Sequence, residues 1–347
     1  MPLAPLTTLG VGGPAHWFMA ARSIGDLRDA LTWARERSLP FYVLGGGSNT
    51  IFSDQGFAGL VIQIGMLGME SQPAGLAVRV TAAAGEPWDD FVAHCVAQNW
   101  AGIECLSGIP GFVGATPIQN VGAYGQEVAD VIEIVEALDT QSLERVTFSA
   151  AECGFGYRAS RFKAADRGRF VVTGVTFRLV PGGAPELKYA DLQKHFVNLP
   201  DGTTPTLAEV REAVIAIRKR KAMVLDPAEP NSRSCGSFFM NPVVSRKEFE
   251  IIETSARATG LLGPDEKFPH YEAGEGMVKL SAAWLMEHSG LQRGATHGGV
   301  GLSEKHILAI INRDHGTAAE VRELMNLVQS RVSKTFGVHL EPEPVFA

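Results

Sequence analysis

A long uncharged run rich in glycine constrains the fold of this chain more than any other feature. Residues 105–126 hold five glycines, two prolines and no charged side chain, yet they are too apolar for a flexible linker. Glycine lets a backbone approach a neighbouring surface and adopt conformations that a Cβ would forbid. A second glycine run, residues 44–49 (LGGGSN), follows an apolar stretch at 41–43. We expect the first run to lie against another surface and the second to form a turn after a strand.

Two backbone-rich loops of this kind suit a large ligand that carries a diphosphate, which main-chain N–H groups hold without the help of lysine. Residues 44–49 lack the third glycine and the later acidic residue of the GxGxxG fingerprint, and the chain has no P-loop GK[ST]. Taken by themselves, they fit an ordinary tight turn equally well. The two runs together predict a bound dinucleotide in a site of non-Rossmann type.

The size and charge of the chain exclude several classes of protein. Its 347 residues, 45% of them hydrophobic, suffice for two or three domains with sizeable cores. With 31 basic and 38 acidic residues the net charge is −7, which argues against a nucleic-acid-binding surface. The one dense basic cluster, residues 218–221 (RKRK), is explained as well by the preference of helix C-termini for cations.

The cysteines and the apolar runs bear on the compartment in which the chain works. The four cysteines are scattered, without a CxxC pair or a histidine at ligand spacing, so we expect neither a disulfide framework nor a metal site. The first ten residues lack the basic start and apolar stretch of a secretory signal. Residues 105–126 contain too much Gly, Pro, Gln and Asn to span a bilayer. We expect a cytoplasmic protein that binds no membrane.

Periodicity in the first 180 residues predicts a mixed α+β fold, with most of the strands between residues 60 and 180. A helix is expected over 23–38, with Ser23 as N-cap and an apolar stripe on one face, and another over 88–99. Runs rich in apolar and β-branched residues predict strands at 41–44, 60–64, 76–84, 131–139, 145–149 and 170–180.

Turn residues and capping boxes organise the remainder of the chain. The turn at 199–202 (LPDG) marks the best domain boundary. Beyond it the capping-box pattern S/T-x-x-E predicts helix starts at Thr206, Ser245 and Thr317. Gly260 and Gly337 are expected to end the second and third of these helices. The apolar run 306–312 (HILAIIN) predicts a buried strand.

Three short segments carry side chains suited to chemistry. Arg158 stands among aromatic residues and glycine, where its guanidinium could bind a carboxylate or enolate, or could only fix a loop through a surface salt bridge. Ser237 precedes two phenylalanines outside any GxSxG elbow, so it is either a reactive hydroxyl or an ordinary turn serine. Glu341 and Glu343 lie between prolines in a tail that either returns to a site or is a solvated end.

Seven segments in the same order make the chain resemble the UDP-N-acetylenolpyruvoylglucosamine reductase family almost end to end. The segments are TTLGVGGPA (7–15), VLGGGSN (43–49), SGIPGFVGATPIQNVGAYG (107–125), ECGFGYRASRFK (152–163), LKYADL (187–192), CGSFFMNP (235–242) and LEPE (340–343). Of these, LKYADL is typical of the family's first subtype. An ordered set of this kind is far more specific than any one of its members.

The resemblance implies an α+β fold that begins with an FAD-binding module of the vanillyl-alcohol-oxidase (PCMH) type. That module would span residues 1–202, with subdomains of about 1–62 and 63–202. A smaller α+β substrate-binding domain would span 203–347, its tail 340–347 returning to the active site. The implied activity is that of a monomeric FAD-dependent NADPH oxidoreductase in peptidoglycan precursor synthesis, and so in cell-wall biogenesis, cell shape and division. NADPH would reduce FAD, which passes hydride to the enolpyruvyl group of UDP-N-acetylglucosamine enolpyruvate to give UDP-N-acetylmuramate.

The resemblance also implies three catalytic residues. Arg158 matches the arginine that stabilises enolate charge, Ser237 the serine that protonates the α-carbon, and Glu343 the glutamate that completes the site. The family motif normally continues from this glutamate with Val and a basic residue, whereas here the chain reads Glu343-Pro344-Val345-Phe346-Ala347. Glu341 is therefore a rival for the role, and the contact made by the missing basic residue is unassigned.

By the same resemblance the remaining site residues bind substrate or cofactor. The UDP-sugar would be bound by Tyr189, Lys221 and Asn241. FAD would be bound by Gly45, Gly46, Gly47, Ser48, Asn49, Ile109, Pro110, Gly111, Gly114, Ala115, Thr116, Gly122, Ala123 and Arg218. Two other classes of protein stay open from sequence alone: an oxygen-using flavin oxidase of the same fold, and a nucleotide-sugar binder without flavin.

Overall fold

The computed structural model describes residues 1–200 and 202–347, which form two compact units. The amino-terminal unit comprises Met1, Ala15–Gly47 and Phe57–Leu225, and the carboxyl-terminal unit comprises Pro2–Pro14, Ser48–Gly56 and Asp226–Ala347. The boundary expected at residues 202–203 stays a prediction. In the turn expected at 199–202, Asp201 lies outside the described residues.

The described residues form seven α-helices and nineteen strands. The helices are α1 (Ile24–Glu36), α2 (Trp88–Ala97), α3 (Ala190–His195), α4 (Leu207–Arg220), α5 (Arg246–Ala258), α6 (Ala282–His288) and α7 (Ala318–Phe336). The strands are β1 (Ala15–Ala21), β2 (Phe41–Leu44), β3 (Thr50–Ile51), β4 (Phe57–Ile64), β5 (Met69–Ala74), β6 (Ala77–Ala83), β7 (Trp100–Ala101), β8 (Gly122–Ala123), β9 (Gln126–Glu127), β10 (Ile132–Asp139), β11 (Arg145–Ser149), β12 (Phe170–Pro181), β13 (Val243–Ser245), β14 (His270–Glu272), β15 (Met277–Leu280), β16 (Thr296–His297), β17 (Val300–Leu302), β18 (Ile310–Asn312) and β19 (Val345–Phe346). None of these helices, within the described part of the chain, is both long and apolar enough to cross a membrane.

A small parallel sheet opens the amino-terminal unit. Its strand order is β1-β4-β2, and α1 packs against β1 and β4. The helix begins where the hydroxyl of Ser23 accepts a hydrogen bond from the N–H of Asp26 at 3.0 Å. Its buried face consists of the expected stripe, Leu27, Ala30, Leu31 and Ala34. The N-cap and the apolar stripe both match the prediction, so the predicted helix is confirmed. The strand predicted at 41–44 is confirmed as β2.

A larger antiparallel sheet forms the body of the same unit. Its order is β11-β10-β12-β6-β5, with β7 paired to the far end of β12. Helix α2 packs Trp88 and Phe91 against Phe177 of β12, with ring centroids 5.9 and 4.9 Å apart. Because all three aromatic side chains are fully buried, this contact joins the helix to the centre of the sheet. The strands predicted between residues 60 and 180 are confirmed.

The carboxyl-terminal unit has three small sheets and three helices around its own core. The sheets have the orders β13-β15-β14, β16-β17-β18 and β19-β3. Both α5 and α7 begin with complete capping boxes, at Ser245 and Thr317, and α4 of the other unit does so at Thr206. Gly337 ends α7 with a φ of +69°, a left-handed conformation that costs glycine little. These expected helix ends are confirmed.

The buried strand expected at 306–312 is only half correct. Strand β18 covers Ile310–Asn312, whereas the residues before it form a turn. The hydroxyl of Ser303 accepts hydrogen bonds from the N–H of Lys305 at 3.1 Å and of His306 at 3.3 Å, and the N–H of Ala309 donates to the carbonyl of His306 at 2.9 Å. A side chain that bonds its own backbone competes with sheet formation. The apolar pattern alone did not reveal this competition.

Candidate active site

The two glycine runs pack backbone against backbone in the amino-terminal unit. A Cβ built on Gly46 would lie 2.9 Å from the Cα of Gly111, and one on Gly114 would lie 2.5 Å from the Cβ of Ala84. The N–H of Gly114 donates to the carbonyl of Ala84 at 2.9 Å, which fixes the longer run against the residue that follows β6. Glycine is required at both positions because any larger side chain would force the two surfaces apart.

A buried cation lies beneath the longer glycine run. Arg218 of α4 is only 8% exposed; its Nη2 donates to the carbonyl of Met223 at 2.7 Å, and its Nε has no hydrogen-bond partner among the described residues. Gly108 has a φ of +72°, and a Cβ there would lie 3.4 Å from this Nε. Burial lowers the pKa of Arg218 from its ordinary value. A buried guanidinium with an unused donor beside a glycine loop is complementary to an anion.

Asp89 links α2, α4 and the glycine run. Its carboxylate accepts hydrogen bonds from the N–H of Gly108 at 2.6 Å and from Nη1 and Nη2 of Arg211 at 2.6 and 3.0 Å. Burial by itself would raise the pKa of Asp89, but the bonds from Arg211 and Gly108 outweigh it and hold the pKa below its ordinary value. Arg211 and Arg218 are seven residues apart on α4, so one helix face carries both cations to this loop.

Arg158 is held against the end of the glycine-rich run. It has a φ of +52°, a strained value for a residue other than glycine. Its guanidinium donates to the carbonyls of Asn120 at 3.3 Å and Gly122 at 2.6 Å, and lies 5.6 Å from the ring centroid of Tyr157. Main-chain carbonyls therefore orient this side chain.

Tyr189, Lys221 and Arg218 lie around Tyr124 in the same unit. Tyr189, at the start of α3, meets Tyr124 edge to face with ring centroids 5.1 Å apart and is 39% exposed. Nζ of Lys221 lies 2.9 Å from Oδ2 of Asp191. Burial raises the pKa of Tyr124, an effect that the positive charges of Arg218 and Lys221 oppose. The arrangement gathers two phenols and two cations at one place.

Phe238 brings Ser237 and Glu343 together in the carboxyl-terminal unit. The N–H of Phe238 donates to the carbonyl of Leu308 at 2.7 Å, and its carbonyl accepts from the N–H of Glu343 at 2.8 Å. The hydroxyl of Ser237 lies 3.2 Å from Nε2 of His306. Ser237 therefore lies next to a residue whose main chain is bonded on both sides.

The tail is an ordered strand and not a solvated end. The N–H of Val345 donates to the carbonyl of Asn49 at 2.9 Å, and Nδ2 of Asn49 donates to the carbonyl of Glu343 at 3.2 Å. The side chain of Glu343 is half-buried and that of Glu341 is exposed. On the other side of Phe238, Oδ1 of Asn241 accepts a hydrogen bond from the N–H of Ala282 at 2.9 Å. These contacts gather Asn49, Ser237, Asn241 and Glu343 within one unit.

The candidate residues thus fall into two sets. Ser48, Asn49, Ser237, Asn241 and Glu343 belong to the carboxyl-terminal unit, and the glycines, Arg158, Tyr189, Arg218 and Lys221 belong to the amino-terminal unit. The structure adds Asp89, Tyr124 and His306, which were not predicted as site residues from the sequence. No local pattern distinguishes them, because an acid on a helix, a tyrosine in a glycine loop and a histidine before an apolar run are each common.

Comparison with known proteins identifies the family of the chain. The family model for the C-terminal domain of UDP-N-acetylenolpyruvoylglucosamine reductase matches residues 226–347, and a model for an FAD binding domain matches residues 15–144. Reductases of that name from Thermobifida fusca and Saccharopolyspora erythraea are each 44% identical to the chain and are aligned over 99% of it, covering 96% and 93% of their own lengths.

A solved structure agrees on the fold. The crystal structure of UDP-N-acetylenolpyruvylglucosamine reductase from Thermus caldophilus matches 100% of this chain and 97% of its own with a TM-score of 0.64, at 23% identity. The expected α+β fold with an FAD-binding module and the expected family are confirmed, and neither the oxidase nor the flavin-free binder is favoured. This chain belongs to the UDP-N-acetylenolpyruvoylglucosamine reductase family of FAD-dependent oxidoreductases.

Proposed function

We propose that the chain reduces the enolpyruvyl group of UDP-N-acetylglucosamine enolpyruvate to the lactyl ether of UDP-N-acetylmuramate. Bound FAD supplies the hydride in this chemistry, after reduction by NADPH. The observation that carries the proposal is the fixed arrangement around Phe238, which holds a hydroxyl and a carboxylate of the family motifs in one unit. Family membership over the whole chain supports the same reaction.

Most of the candidate cofactor residues belong to the amino-terminal unit, and their packing fits FAD. Glycine is required where the two glycine runs approach, and Arg218 keeps a buried donor without a partner among the described residues. Both features suit a diphosphate bound by main chain and one cation. We propose that Gly45–Gly47, Ser48, Asn49, Ile109–Gly111, Gly114–Thr116, Gly122, Ala123 and Arg218 hold the cofactor.

We propose that Arg158 stabilises the negative charge that reduction leaves on the substrate's α-carbon and carboxylate. Its guanidinium is already oriented by the carbonyls of Asn120 and Gly122, so little reorganisation is needed when charge develops. Ser237 then delivers its proton to the α-carbon, and Glu343 completes the site. Glu343 is preferred to Glu341 because it is half-buried and its N–H is bonded to Phe238, whereas Glu341 is exposed.

We propose that Tyr189, Lys221 and Asn241 bind the UDP-sugar. Lys221, whose Nζ pairs with Asp191, and Tyr189 lie beside Tyr124 and Arg218, so cations and phenol donors that could bind a second diphosphate are gathered at this end of α4. We further propose a cytoplasmic monomer that binds neither nucleic acid nor membrane, in keeping with the net charge of −7. Size-exclusion chromatography with light scattering tests the monomer: a dimer mass would contradict it.

Turnover with defined substrates tests the proposed function. The purified protein, reconstituted with FAD, is mixed with NADPH and then with UDP-N-acetylglucosamine enolpyruvate under anaerobic conditions. We expect NADPH to bleach the flavin absorbance and the enolpyruvyl compound to restore it, with UDP-N-acetylmuramate as product by mass spectrometry. A reduced flavin that only oxygen reoxidises would contradict the proposal.

The domain boundary at residues 202–203 remains our proposal. Its support is the turn sequence at 199–202 and the exposure of Gly202, Thr203 and Thr204. Limited proteolysis tests it: cleavage within 199–205 that leaves two folded fragments would support the boundary. A stable fragment that begins near Asp226, where the two compact units divide, would count against it.

A further inference from the structure

The only imidazole within hydrogen-bonding distance of Ser237, among the described residues, is that of His306. Its Nε2 lies 3.2 Å from the serine hydroxyl. Two main-chain bonds fix the turn that carries the ring: His306 donates its N–H to the hydroxyl of Ser303 at 3.3 Å and accepts from the N–H of Ala309 at 2.9 Å. The main chain that carries the ring is therefore fixed by its own turn.

The rest of this turn is anchored in the core of the carboxyl-terminal unit. Ser303 is fully buried, and its hydroxyl donates to Oδ1 of Asn231 at 3.1 Å, an atom that also accepts from the N–H of Glu304 at 3.0 Å. The serine side is fixed as well, because Phe238 donates to the carbonyl of Leu308 at 2.7 Å. The main chain at His306 and the main chain next to Ser237 are thus both anchored, which sets the distance between the two side chains.

We propose that His306 is a positioning residue that directs the proton of Ser237, an inference that rests on the proposed function. A serine hydroxyl has one proton and two acceptor lone pairs. If Nε2–H donates to the serine oxygen, the hydroxyl proton points away from the ring and is free to face the substrate. The histidine thereby selects the rotamer that can protonate carbon.

The same bond matters during proton transfer. The electron pair of the enolate takes the serine proton to form the new C–H bond, while the O–H pair stays on the serine oxygen. A hydrogen bond to a charged oxygen is about twice as strong as one to a neutral hydroxyl, so Nε2–H stabilises the oxygen most when the transfer is complete. Water then returns a proton to Ser237. Nothing in this sequence requires the imidazole to gain or lose a proton.

Variants of His306 separate positioning from other roles. With the reconstituted enzyme, His306→Ala is expected to slow flavin reoxidation by the enolpyruvyl substrate about 10- to 100-fold, the range for losing a hydrogen bond to a charged group. Reduction by NADPH and the KM for the enolpyruvyl substrate should not change. His306→Gln, which places an N–H donor near the position of Nε2, should restore most of the rate. His297→Ala, at a histidine paired with Glu323 on the surface, is the control and should match the unmodified enzyme.

A double variant gives the decisive comparison. In a Ser237→Ala background, His306→Ala should slow reoxidation no further, because the histidine acts through the serine; equal slowing in both backgrounds would overturn the proposal. A Gln variant as slow as the Ala variant would also overturn it, since a donor would then not suffice. If the unmodified enzyme is not reoxidised by the enolpyruvyl substrate, the proposed function fails, and this inference with it. Normal turnover with unaffected His306 variants would overturn the inference alone.

Discussion

At the scale of single residues, Ser237 carries the sharpest prediction. A hydroxyl is a weak acid, so it protonates carbon only when held close to a strongly basic enolate. We expect Ser237→Ala to keep NADPH-driven flavin reduction and to slow reoxidation by the enolpyruvyl substrate about 10²- to 10⁴-fold, the usual contribution of one acid–base group. Stopped-flow absorbance of the two half-reactions measures both rates.

The control for Ser237→Ala is Ser71→Ala, which removes an exposed hydroxyl on β5 and should leave both half-reactions unchanged. Equal slowing of the two halves in the Ser237 variant would mean that the serine shapes the pocket for both substrates. In that case the assignment of the proton donor would be wrong.

Arg218 carries a second prediction at this scale. Methionine keeps most of the length of the side chain but removes its buried positive charge. The replacement therefore relieves the desolvation cost of the charge and deletes the cation available to the diphosphate. We expect Arg218→Met to weaken FAD binding by about 10- to 100-fold, the value of one or two charge-assisted hydrogen bonds. The melting temperature without FAD should not fall. Flavin fluorescence titration and calorimetry measure the two quantities.

The matched control is Arg220→Met, an exposed arginine on the same helix, which should bind FAD normally. If Arg218→Met unfolds without FAD, the role of Arg218 is structural. If both variants lose the same affinity for FAD, the effect is only one of net charge. Either result would remove the residue from the cofactor site.

At the scale of elements, local chemistry decided what could be predicted from sequence. The helices that begin at Ser23, Thr206, Ser245 and Thr317 were predictable because cap and apolar stripe lie within one or two turns of each other. The turn before β18 was not, because its apolar residues fit a strand and the decisive bonds come from Ser303. The candidate site was likewise predictable only where the signal is local. Ser237 lies in a recognisable motif, whereas His306 is 69 residues away and is brought to Ser237 only by the fold.

Asp89 joins α2 to α4 and to the longer glycine run, and it allows a prediction about stability. The pKa of Asp89 is lower in the folded protein than in the unfolded chain, where it is about 3.9. Its bonds to Arg211 and Gly108 therefore stabilise the fold fully at a pH above the unfolded pKa, and this stabilisation is lost as the pH falls through the folded pKa. Asp89→Asn should therefore unfold at lower urea concentration than the unmodified protein near neutral pH. The difference should shrink as pH falls below about 4.

The exposed neighbour Asp90 supplies the control, since Asp90→Asn keeps the same net charge as Asp89→Asn without touching Arg211. Urea titrations at several pH values measure the effect. A gap between the Asp89 variant and the unmodified protein that stays constant with pH would contradict the ionic contribution of this carboxylate.

The pairing of β19 with β3 carries a prediction about the tail. Deleting residues 345–347 removes the bonds from Val345 to Asn49 and from Ala347 to Ile51, which leaves Glu343 with fewer restraints. We expect the shortened protein to accept electrons from NADPH but to be reoxidised more slowly by the enolpyruvyl substrate. Val345→Ala keeps the main-chain bonds and should behave normally in stopped-flow traces. Unchanged reoxidation after the deletion would show that the tail strand does not position Glu343.

At the scale of the whole molecule, the composition of the two units was beyond sequence analysis. The carboxyl-terminal unit includes Pro2–Pro14 and Ser48–Gly56, two stretches from the beginning of the chain. Asp54 accepts hydrogen bonds from the N–H groups of Ala318 and Ala319 at 2.7 and 2.9 Å, and β3 pairs with β19. Contacts between residues nearly 300 positions apart leave no local pattern, since a two-residue strand or a single aspartate looks like any loop.

The last prediction is that the protein binds its flavin without a covalent bond. Attachment of the isoalloxazine through histidine or cysteine would require such a residue beside the cofactor, and neither residues 45–49 nor residues 109–123 contain one. Cys105, the first residue of the longer run, is fully buried and donates to the carbonyl of Glu186, and burial raises its pKa. A thiol kept protonated in this way is a poor nucleophile. Trichloroacetic acid precipitation should therefore leave all the yellow colour in the supernatant, and colour retained in the washed pellet would contradict non-covalent binding.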